Sequence, residues 1–221
     1  TNESSTPELG AELWAYVPYN LTPHLKCLTA LDYAHKYYVD LQPRVFDVQI
    51  FNNDSTHPGG WGTIMVIGMG FGGAKVAANT VDLDGNGSAD APSDSRELTS
   101  AYMIFDITNP ESPPVLLGEF TRKGDATSNH VNLGYTTSVP ALVPMKSGSN
   151  TDWYLVMGSG PTMIEGESGQ EARVAVLPLK NLTASSRGAF QIQDSAPSAS
   201  SGDTGTFRVG GTKSFVGDMV S

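Results

Sequence analysis

Residues 81–94, VDLDGNGSADAPSD, place oxygen-bearing side chains at alternate positions of a glycine-bent segment. Counted from Asp82, these side chains occupy positions 1, 3, 5 and 9, and glycines occupy positions 4 and 6. This alternation is typical of loops that wrap the backbone around calcium, which takes about six to eight hard oxygen ligands. The predicted ligands are the side chains of Asp82, Asp84, Asn86 and Asp90 and the carbonyl of Ser88, with water or Asp94 supplying the rest.

The three carboxylates of this segment repel one another, by on the order of 2 to 4 kcal/mol for each close pair at an effective dielectric near 20. A loop built this way splays open without a cation, so we expect Ca²⁺ as the cofactor. Position 12 is Ser93 rather than Glu, and no helices are predicted beside the loop, which excludes a helix-loop-helix calcium hand. The alternative reading is a polar hairpin loop whose carboxylates are all solvated.

Two stretches of the chain repeat one plan of four short apolar runs separated by turn residues. The runs of the first stretch are 43–51, 61–70, 101–108 and 115–120, and those of the second are 135–145, 153–160, 172–179 and 189–193. Repeated units of four antiparallel strands are typical of propeller blades. The predicted fold is therefore all-β, a partial β-propeller of four-stranded antiparallel blades over residues 1–221.

The repeat also predicts how the blades divide the chain. Residues 43–120 form one blade with the calcium loop inserted, and residues 135–193 form a second. Residues 12–18 are expected to end a preceding blade, and residues 213–221 to begin the next. Two whole and two partial blades cannot close a ring, so we expect a longer chain or a partner to cover the open edges.

One short helical connector is predicted over residues 22–39, where Leu25, Leu28, Leu31 and Tyr38 recur at roughly helical spacing. Thr22 is expected to cap this helix, and Pro23 to lie in its first turn.

Composition and motif searches exclude several function classes. The net charge of −10, with only 13 Lys and Arg, argues against a nucleic-acid partner. No apolar run is long enough to predict a membrane span. The segment GMGFGG at residues 68–73 resembles a dinucleotide fingerprint, but too few residues follow it for a crossover helix, so these are predicted to be turn glycines.

No catalytic constellation is predicted. The four histidines, at positions 24, 35, 57 and 130, are scattered and are each expected to be surface or loop residues. Asp106 in FDIT is expected to tie down a turn rather than to transfer protons. Nothing in the sequence places a nucleophile, a base and an orienting group together.

Several segments taken together resemble the C-terminal propeller of PilY1-type type IV pilus biogenesis and tip-adhesin proteins. They are GAELWAYVPYNLTPHLK, YAHKYYVDLQPRVFDVQIF, GGWGTIMVIGMGFGGAKV, FDITNPESPPVLLGEF and SFVGDMV. The resemblance implies an exported, extracellular protein at the pilus tip or outer cell surface, whose calcium occupancy controls pilus extension and retraction. It implies minor pilins, the rest of a longer chain and a host or surface ligand as partners.

One departure from the family matters. The best-known calcium loop of the family follows its SFxGDPV strand, and the loop predicted here begins at Asp82 instead. The loop is therefore either regulatory or an additional structural site. Two other readings stay open, namely a quinoprotein-dehydrogenase-like propeller enzyme and a purely structural extracellular propeller.

Overall fold

Two four-stranded antiparallel sheets dominate the computed structural model, which describes residues 10–78, 96–121, 133–182 and 205–219. The chain first forms β1 (Arg44–Gln49) and β2 (Trp61–Gly68), then a two-stranded ribbon of β3 (Val76–Ala78) and β4 (Arg96–Leu98). β5 (Ala101–Asp106) and β6 (Val115–Thr121) complete the first sheet in the order β1-β2-β5-β6. The second sheet contains β7 (Ala141–Ser147), β8 (Asn150–Gly158), β9 (Glu171–Pro178) and β10 (Gly205–Lys213).

Strand burial follows the period of two that the sequence shows. Along β2, the residues Gly62, Ile64, Val66 and Gly68 are buried and alternate with more exposed positions. β5 differs, because the first five of its six residues are all buried. A run of that kind marks a central strand that is covered on both faces.

The main core lies between the two sheets. Ile64, Val66 and Ile104 of the first sheet form one cluster with Leu155 and Leu177 of the second, all fully buried. The rings of Trp61 and Trp153 also meet edge to face, with their centroids 5.7 Å apart. Face-to-face packing of consecutive sheets removes apolar surface from water, which is the main favourable term in folding.

The opposite face of the first sheet is covered by the N-terminal segment. Leu21 packs there against Met69, Met103 and Phe105. The ring of Tyr16 meets the ring of Phe105 edge to face at 4.9 Å. The central strand β5 of the first sheet is thus covered on both faces within this chain.

The prediction of an all-β architecture made of four-stranded antiparallel units is confirmed. Closure of these sheets into a propeller stays a prediction. The first sheet spans the predicted blade 43–120. In the second unit the fourth strand is Gly205–Lys213, whereas the sequence predicted 189–193, a segment outside the described residues.

The helical connector is shorter than predicted and of a different type. It is a 3₁₀ helix over Tyr19–Thr29, and residues 30–39 are not helical. Pro18 precedes it without a side-chain cap, and the hydroxyl of Thr22 donates instead to the carbonyl of Tyr19 at 2.8 Å. Pro23 lies inside the helix, where it lacks an N–H donor and disfavours α-helical bonding. No helix in the described part of the chain is long and apolar enough to cross a bilayer.

Residues 12–18 and 214–219 were predicted to be strands of neighbouring blades, but neither segment is a strand in the structure. Residues 12–18 have no ladder partner, and residues 214–219 follow the end of β10 without entering a sheet. A strand requires a ladder of regularly spaced backbone hydrogen bonds with a neighbour, and within the described residues neither segment forms one. Residues 214–219 bind the second sheet locally instead, through Val216 N–H to the Ser159 carbonyl at 2.8 Å.

Each sheet packs the chain that follows it against an equivalent glycine. A Cβ at Gly68, the last residue of β2, would lie 2.7 Å from the Thr136 carbonyl oxygen and 2.9 Å from the Tyr102 ring. A Cβ at Gly158, the last residue of β8, would lie 2.5 Å from Val216. The two units therefore repeat one contact as well as one strand order.

We predict that Gly68→Ala lowers the free energy of unfolding by about 1 to 3 kcal/mol, because the new methyl group overpacks a site bounded by backbone. Urea unfolding measures the change. Gly217→Ala is the matched control, since a Cβ there meets no atom within 4 Å. Equal stability of the two variants would contradict the packing described for Gly68.

Candidate functional site

The predicted calcium ligands lie outside the described residues. Asp82, Asp84, Asn86, Ser88, Asp90 and Asp94 all belong to residues 79–95, so calcium binding there stays a prediction. The structure does describe the chain on either side of that segment. The pairing of β3 and β4 shows where residues 79–95 are attached to the fold.

A two-stranded antiparallel ribbon forms the base of the loop. β3 and β4 pair with Val76 opposite Leu98 and Ala78 opposite Arg96. Directly opposite residues of an antiparallel pair have their Cα atoms about 4.5 to 5.5 Å apart. Residues 79–95 therefore leave the ribbon and return to it at neighbouring positions, as an insertion between β2 and β5.

The ribbon leads into a buried hydroxyl junction between the two sheets. Thr136 is fully buried, and its hydroxyl donates to the Ala101 carbonyl at 3.1 Å and accepts from Met69 N–H at 2.8 Å. Ser100 lies directly after the ribbon, with its hydroxyl oxygen 2.9 Å from that of Thr136. It also accepts from Thr136 N–H at 3.2 Å. This pairing satisfies buried polar groups that would otherwise be costly.

The glycine-rich segment 68–73 is a packed turn, as predicted, and no helix follows it within residues 71–78. Gly70 and Gly73 have positive φ angles of 63° and 70°. A Cβ at Gly70 would collide with the Asp40 carboxylate, which accepts from Phe71 N–H at 3.0 Å. The ring of His24 lies 2.9 Å from the Ala74 carbonyl. The N-terminal segment thus holds this turn in place.

His57 joins two acidic side chains that the sequence did not bring together. Its Nε2 lies 3.0 Å from Asp106, and its Nδ1 lies 3.2 Å from Asp54. The ring stacks on Phe51 with centroids 4.1 Å apart, and only 12% of the histidine side chain is exposed. His57 lies in a loop, as predicted, but its ring is largely enclosed there. Sequence spacing gave no signal, because 49 residues separate His57 from Asp106.

Asp106 holds a turn, as the sequence predicted. Its Oδ1 accepts from Thr108 N–H at 2.9 Å and from the Thr108 hydroxyl at 2.6 Å. Asp106 and His57 line a cavity of about 240 Å³, and Ser112 lines the same cavity. Both ring nitrogens of His57 face carboxylates, so neither is directed at the Ser112 hydroxyl as a serine nucleophile requires. The geometry is that of a structural tie between the 51–60 loop and the end of β5.

No group of three or more His, Cys, Asp or Glu side chains within the described residues is arranged to hold a metal ion. The cation chemistry predicted for this chain therefore rests on the oxygen side chains of residues 82–94 and on the ribbon that carries them.

The fold and this insertion define a mostly β protein of repeated four-stranded units. The chain is similar to the type IV pilus biogenesis factor PilY1 homolog of Xylella fastidiosa, with 26% identity over 161 residues. The match covers 72% of this chain and 8% of the length of that protein. No family model matches the chain, and no solved structure matches it significantly. The resemblance to PilY1-type proteins seen in the sequence is confirmed as a distant one.

We predict that Thr136→Val lowers the free energy of unfolding by about 2 to 4 kcal/mol. The substitution keeps the shape but removes a buried hydroxyl that accepts from Met69 N–H, donates to the Ala101 carbonyl and pairs with the Ser100 hydroxyl. Met69 N–H keeps a second acceptor, the Ala101 carbonyl at 3.1 Å, so the loss comes from the three broken bonds together. Thr29→Val is the control, because that hydroxyl is exposed and bonds only the Lys26 carbonyl among the described residues. A change of under about 0.5 kcal/mol for Thr136→Val, measured by urea unfolding, would show that the junction adds little stability.

A pH dependence follows from Asp54, whose pKa is lowered from its ordinary value of 3.8 by hydrogen bonds from the backbone N–H groups of His57 and Thr56. Because the folded-state pKa is the lower one, ionised Asp54 stabilises the fold above about pH 4. That contribution is lost as the pH falls through the folded-state pKa. We therefore expect the urea midpoint of Asp54→Asn to fall less steeply than that of the wild type between pH 4 and 2.5. Parallel profiles for the two proteins would contradict this.

Proposed function

We propose that this chain is a calcium-binding propeller segment of a type IV pilus tip or assembly protein, exported to the cell surface and without catalysis of its own. The observation that carries the proposal is an alternating oxygen loop inserted on a hydrogen-bonded ribbon, in a chain similar to a PilY1 homolog. Support of pilus biogenesis, control of extension and retraction, and surface adhesion are the roles proposed for the longer protein.

The chemistry of the donor set fits calcium. Carboxylate, amide and backbone carbonyl oxygens are the hard ligands that calcium prefers, and the glycines permit the sharp bends between them. Asp82, Asp84, Asn86 and Asp90 would bind through their side chains and Ser88 through its carbonyl, with water or Asp94 completing the shell. The calcium supplies positive charge that offsets the repulsion among these carboxylates.

The proposed affinity suits an extracellular location. Open loops of this kind bind with dissociation constants of about 10⁻⁴ to 10⁻³ M, which correspond to about 4 to 5.5 kcal/mol. Such a loop is nearly empty at cytosolic calcium and is filled outside the cell. Calcium at ten times the dissociation constant stabilises the bound fold by about 1.4 kcal/mol, which biases a coupled docking equilibrium about tenfold.

The ribbon of β3 and β4 connects the predicted calcium loop to the junction between the two sheets. Calcium that orders the loop also favours the paired state of β3 and β4, because the loop closes directly on Ala78 and Arg96. Leu98 at the end of the ribbon is buried, and Ser100 two residues later lies in the hydroxyl junction with Thr136. Order at the loop is therefore proposed to stabilise the seam between the two sheets.

The outer strands suit the proposed partners. β1 and β6 border the first sheet, and β7 and β10 border the second, each with one strand neighbour among the described residues. Strands with unpaired backbone groups accept an added strand from a partner. Minor pilins, the rest of a longer chain and a host or surface ligand are the partners proposed for these edges and for the surface that they border.

We predict that calcium raises the melting temperature of the wild type by about 3 to 6 °C at ten times the dissociation constant. Asp84→Ala should lose most of this shift, because it removes a central carboxylate ligand. Asp32→Ala, an exposed carboxylate outside the loop, is the matched control and should keep it. Calorimetric titration with calcium and with magnesium measures the affinity directly. An unchanged calcium affinity in Asp84→Ala would refute the predicted site.

The regulatory role requires a separate test in a piliated cell. Asp82→Ala with Asp84→Ala in the full-length protein should change pilus number or adhesion at millimolar calcium. If these substitutions alter stability but leave both properties unchanged, the loop is a structural site only.

A further inference from the structure

Four aromatic rings form a continuous row that joins three separate segments of the chain. The rings of His35 and Tyr37 meet edge to face with their centroids 5.2 Å apart. The Tyr37 and Phe71 centroids lie 6.0 Å apart, and the Phe71 and Tyr135 centroids lie 5.6 Å apart. We call these four residues the aromatic row. It contains none of the predicted calcium ligands, and the proposed function does not use it.

The backbone holds the inner two rings of the row in place. Phe71 N–H donates to the Asp40 carboxylate at 3.0 Å, on the packed turn described above. Tyr135 N–H donates to the Pro161 carbonyl at 2.8 Å. Rings that are presented from a constrained backbone lose less conformational freedom when a ligand binds, so the row is preorganised as a binding surface.

The aromatic row is open to solvent. His35 is exposed, Tyr37 is 46% exposed, and Phe71 and Tyr135 are partly exposed. Among the described residues, neither the Tyr37 nor the Tyr135 hydroxyl has a hydrogen-bond partner. Desolvation raises the pKa of the Tyr135 phenol, and the Glu165 carboxylate raises it further, so this hydroxyl stays protonated and able to donate. Contiguous exposed apolar surface of this kind is typical of interaction sites.

An acidic side chain lies beside the Tyr135 end of the row. Glu165 is exposed, and within the described ranges its carboxylate forms no ion pair or hydrogen bond. Lys75 and Tyr135 line one cavity of about 140 Å³, but Lys75 already has an interaction partner. Lys36 is exposed between His35 and Tyr37, at the other end of the row. The row therefore favours a positive charge at its Tyr135 end.

We propose that the aromatic row binds a proline-rich peptide in the polyproline II conformation, with an arginine of the peptide against Glu165. Neighbouring rings are tilted by 48° to 83°. Tilted rings leave clefts for pyrrolidine rings, whereas a sugar stacks best on a flat platform. Proline-rich segments bind aromatic-lined grooves in this way, at low entropic cost because their conformation is already formed.

The polar groups of the row fit the same ligand. A polyproline II backbone has no internal hydrogen bonds, so its carbonyls are available to accept from the hydroxyls of Tyr37 and Tyr135. An arginine guanidinium can stack on the Tyr135 ring while it pairs with the Glu165 carboxylate. A basic ligand also suits a chain whose net charge is −10.

Calorimetry and the amide chemical shifts of Tyr37, Phe71 and Tyr135 test this site. The probe is the acetylated and amidated heptapeptide Arg-Pro-Leu-Pro-Pro-Leu-Pro, which spans about 22 Å at about 3.1 Å per residue. A second peptide carries Glu in place of Arg, a third carries Gly in place of every Pro, and cellopentaose represents a sugar ligand. The arginine peptide should bind saturably and shift all three resonances. The glutamate peptide should bind about tenfold more weakly, and the glycine peptide and cellopentaose should not bind.

Three variants assign the binding to named groups. Tyr37→Ala should weaken the arginine peptide about tenfold, and Tyr135→Phe should weaken it by less, because the ring is kept while the hydroxyl is lost. Glu165→Arg should reverse the preference between the arginine and glutamate peptides. Val115→Ala and Glu111→Arg, at exposed positions outside the row, are the matched controls and should bind like the wild type.

Several results would overturn the proposal. They are equal binding of the arginine and glutamate peptides, binding of the glycine peptide or of cellopentaose as tight as that of the arginine peptide, and the absence of any shift. Unchanged affinity in Tyr37→Ala or an unaltered preference in Glu165→Arg would do the same. None of these positions belongs to the predicted calcium loop, so the calcium titrations described above do not depend on these results.

Discussion

The hydrogen-bonded pair of Ser100 and Thr136 fixes how the first sheet meets the second. Apolar packing between the sheets supplies most of the free energy, but it is non-directional and tolerates sliding of one face over the other. A hydrogen bond between buried hydroxyls tolerates little displacement, because each unpaired group costs its full desolvation energy. The offset between the sheets is therefore set by two small polar residues and the backbone groups of Met69 and Ala101 that they bind.

The Ser100–Thr136 pair also lies close to the base of the inserted segment. The ribbon ends at Leu98, two residues before Ser100, and a cavity of about 140 Å³ opens beside Ser100 and Gly134. Both features border strand ends at which glycine lets two chain segments approach closely. The base of the inserted loop thus lies beside the junction of the two sheets rather than within the core of either one.

Much of the architecture could be predicted because it depends on local pattern. The alternating run in β2, the continuous apolar run in β5 and the Gly-x-Gly ends of β2 and β8 all identify strands from short windows of sequence. The helical connector was misjudged, because apolar spacing favoured a long helix. Pro23 disfavours α-helical bonding, Ala30 takes an extended conformation at the C-cap, and the non-helical chain beyond it reaches Asp40, whose N–H donates to the Met69 carbonyl. Tertiary contacts overrode the local pattern there.

The site residues also differ in whether their neighbours in space are neighbours in sequence. The calcium loop could be predicted from sequence because its predicted ligands are neighbours in the chain, and it stays a prediction because residues 79–95 lie outside the described residues. The contact of His57 with Asp106, the Ser100–Thr136 pair and the cavity around Lys75 join residues that are distant in sequence. No spacing rule predicts such contacts, since they arise only once the sheets have packed.

The edge-to-face contact of Trp61 with Trp153 has an optical consequence. These are two of the three tryptophans of the chain, one from each sheet, while Trp14 lies in the N-terminal segment and is 44% exposed. Near-ultraviolet circular dichroism arises from aromatic rings held in fixed asymmetric surroundings. Separation of the two faces would abolish this indole coupling even while each sheet kept its own ladder. The molecule thus contains a native, label-free chromophore pair that distinguishes undocking from unfolding.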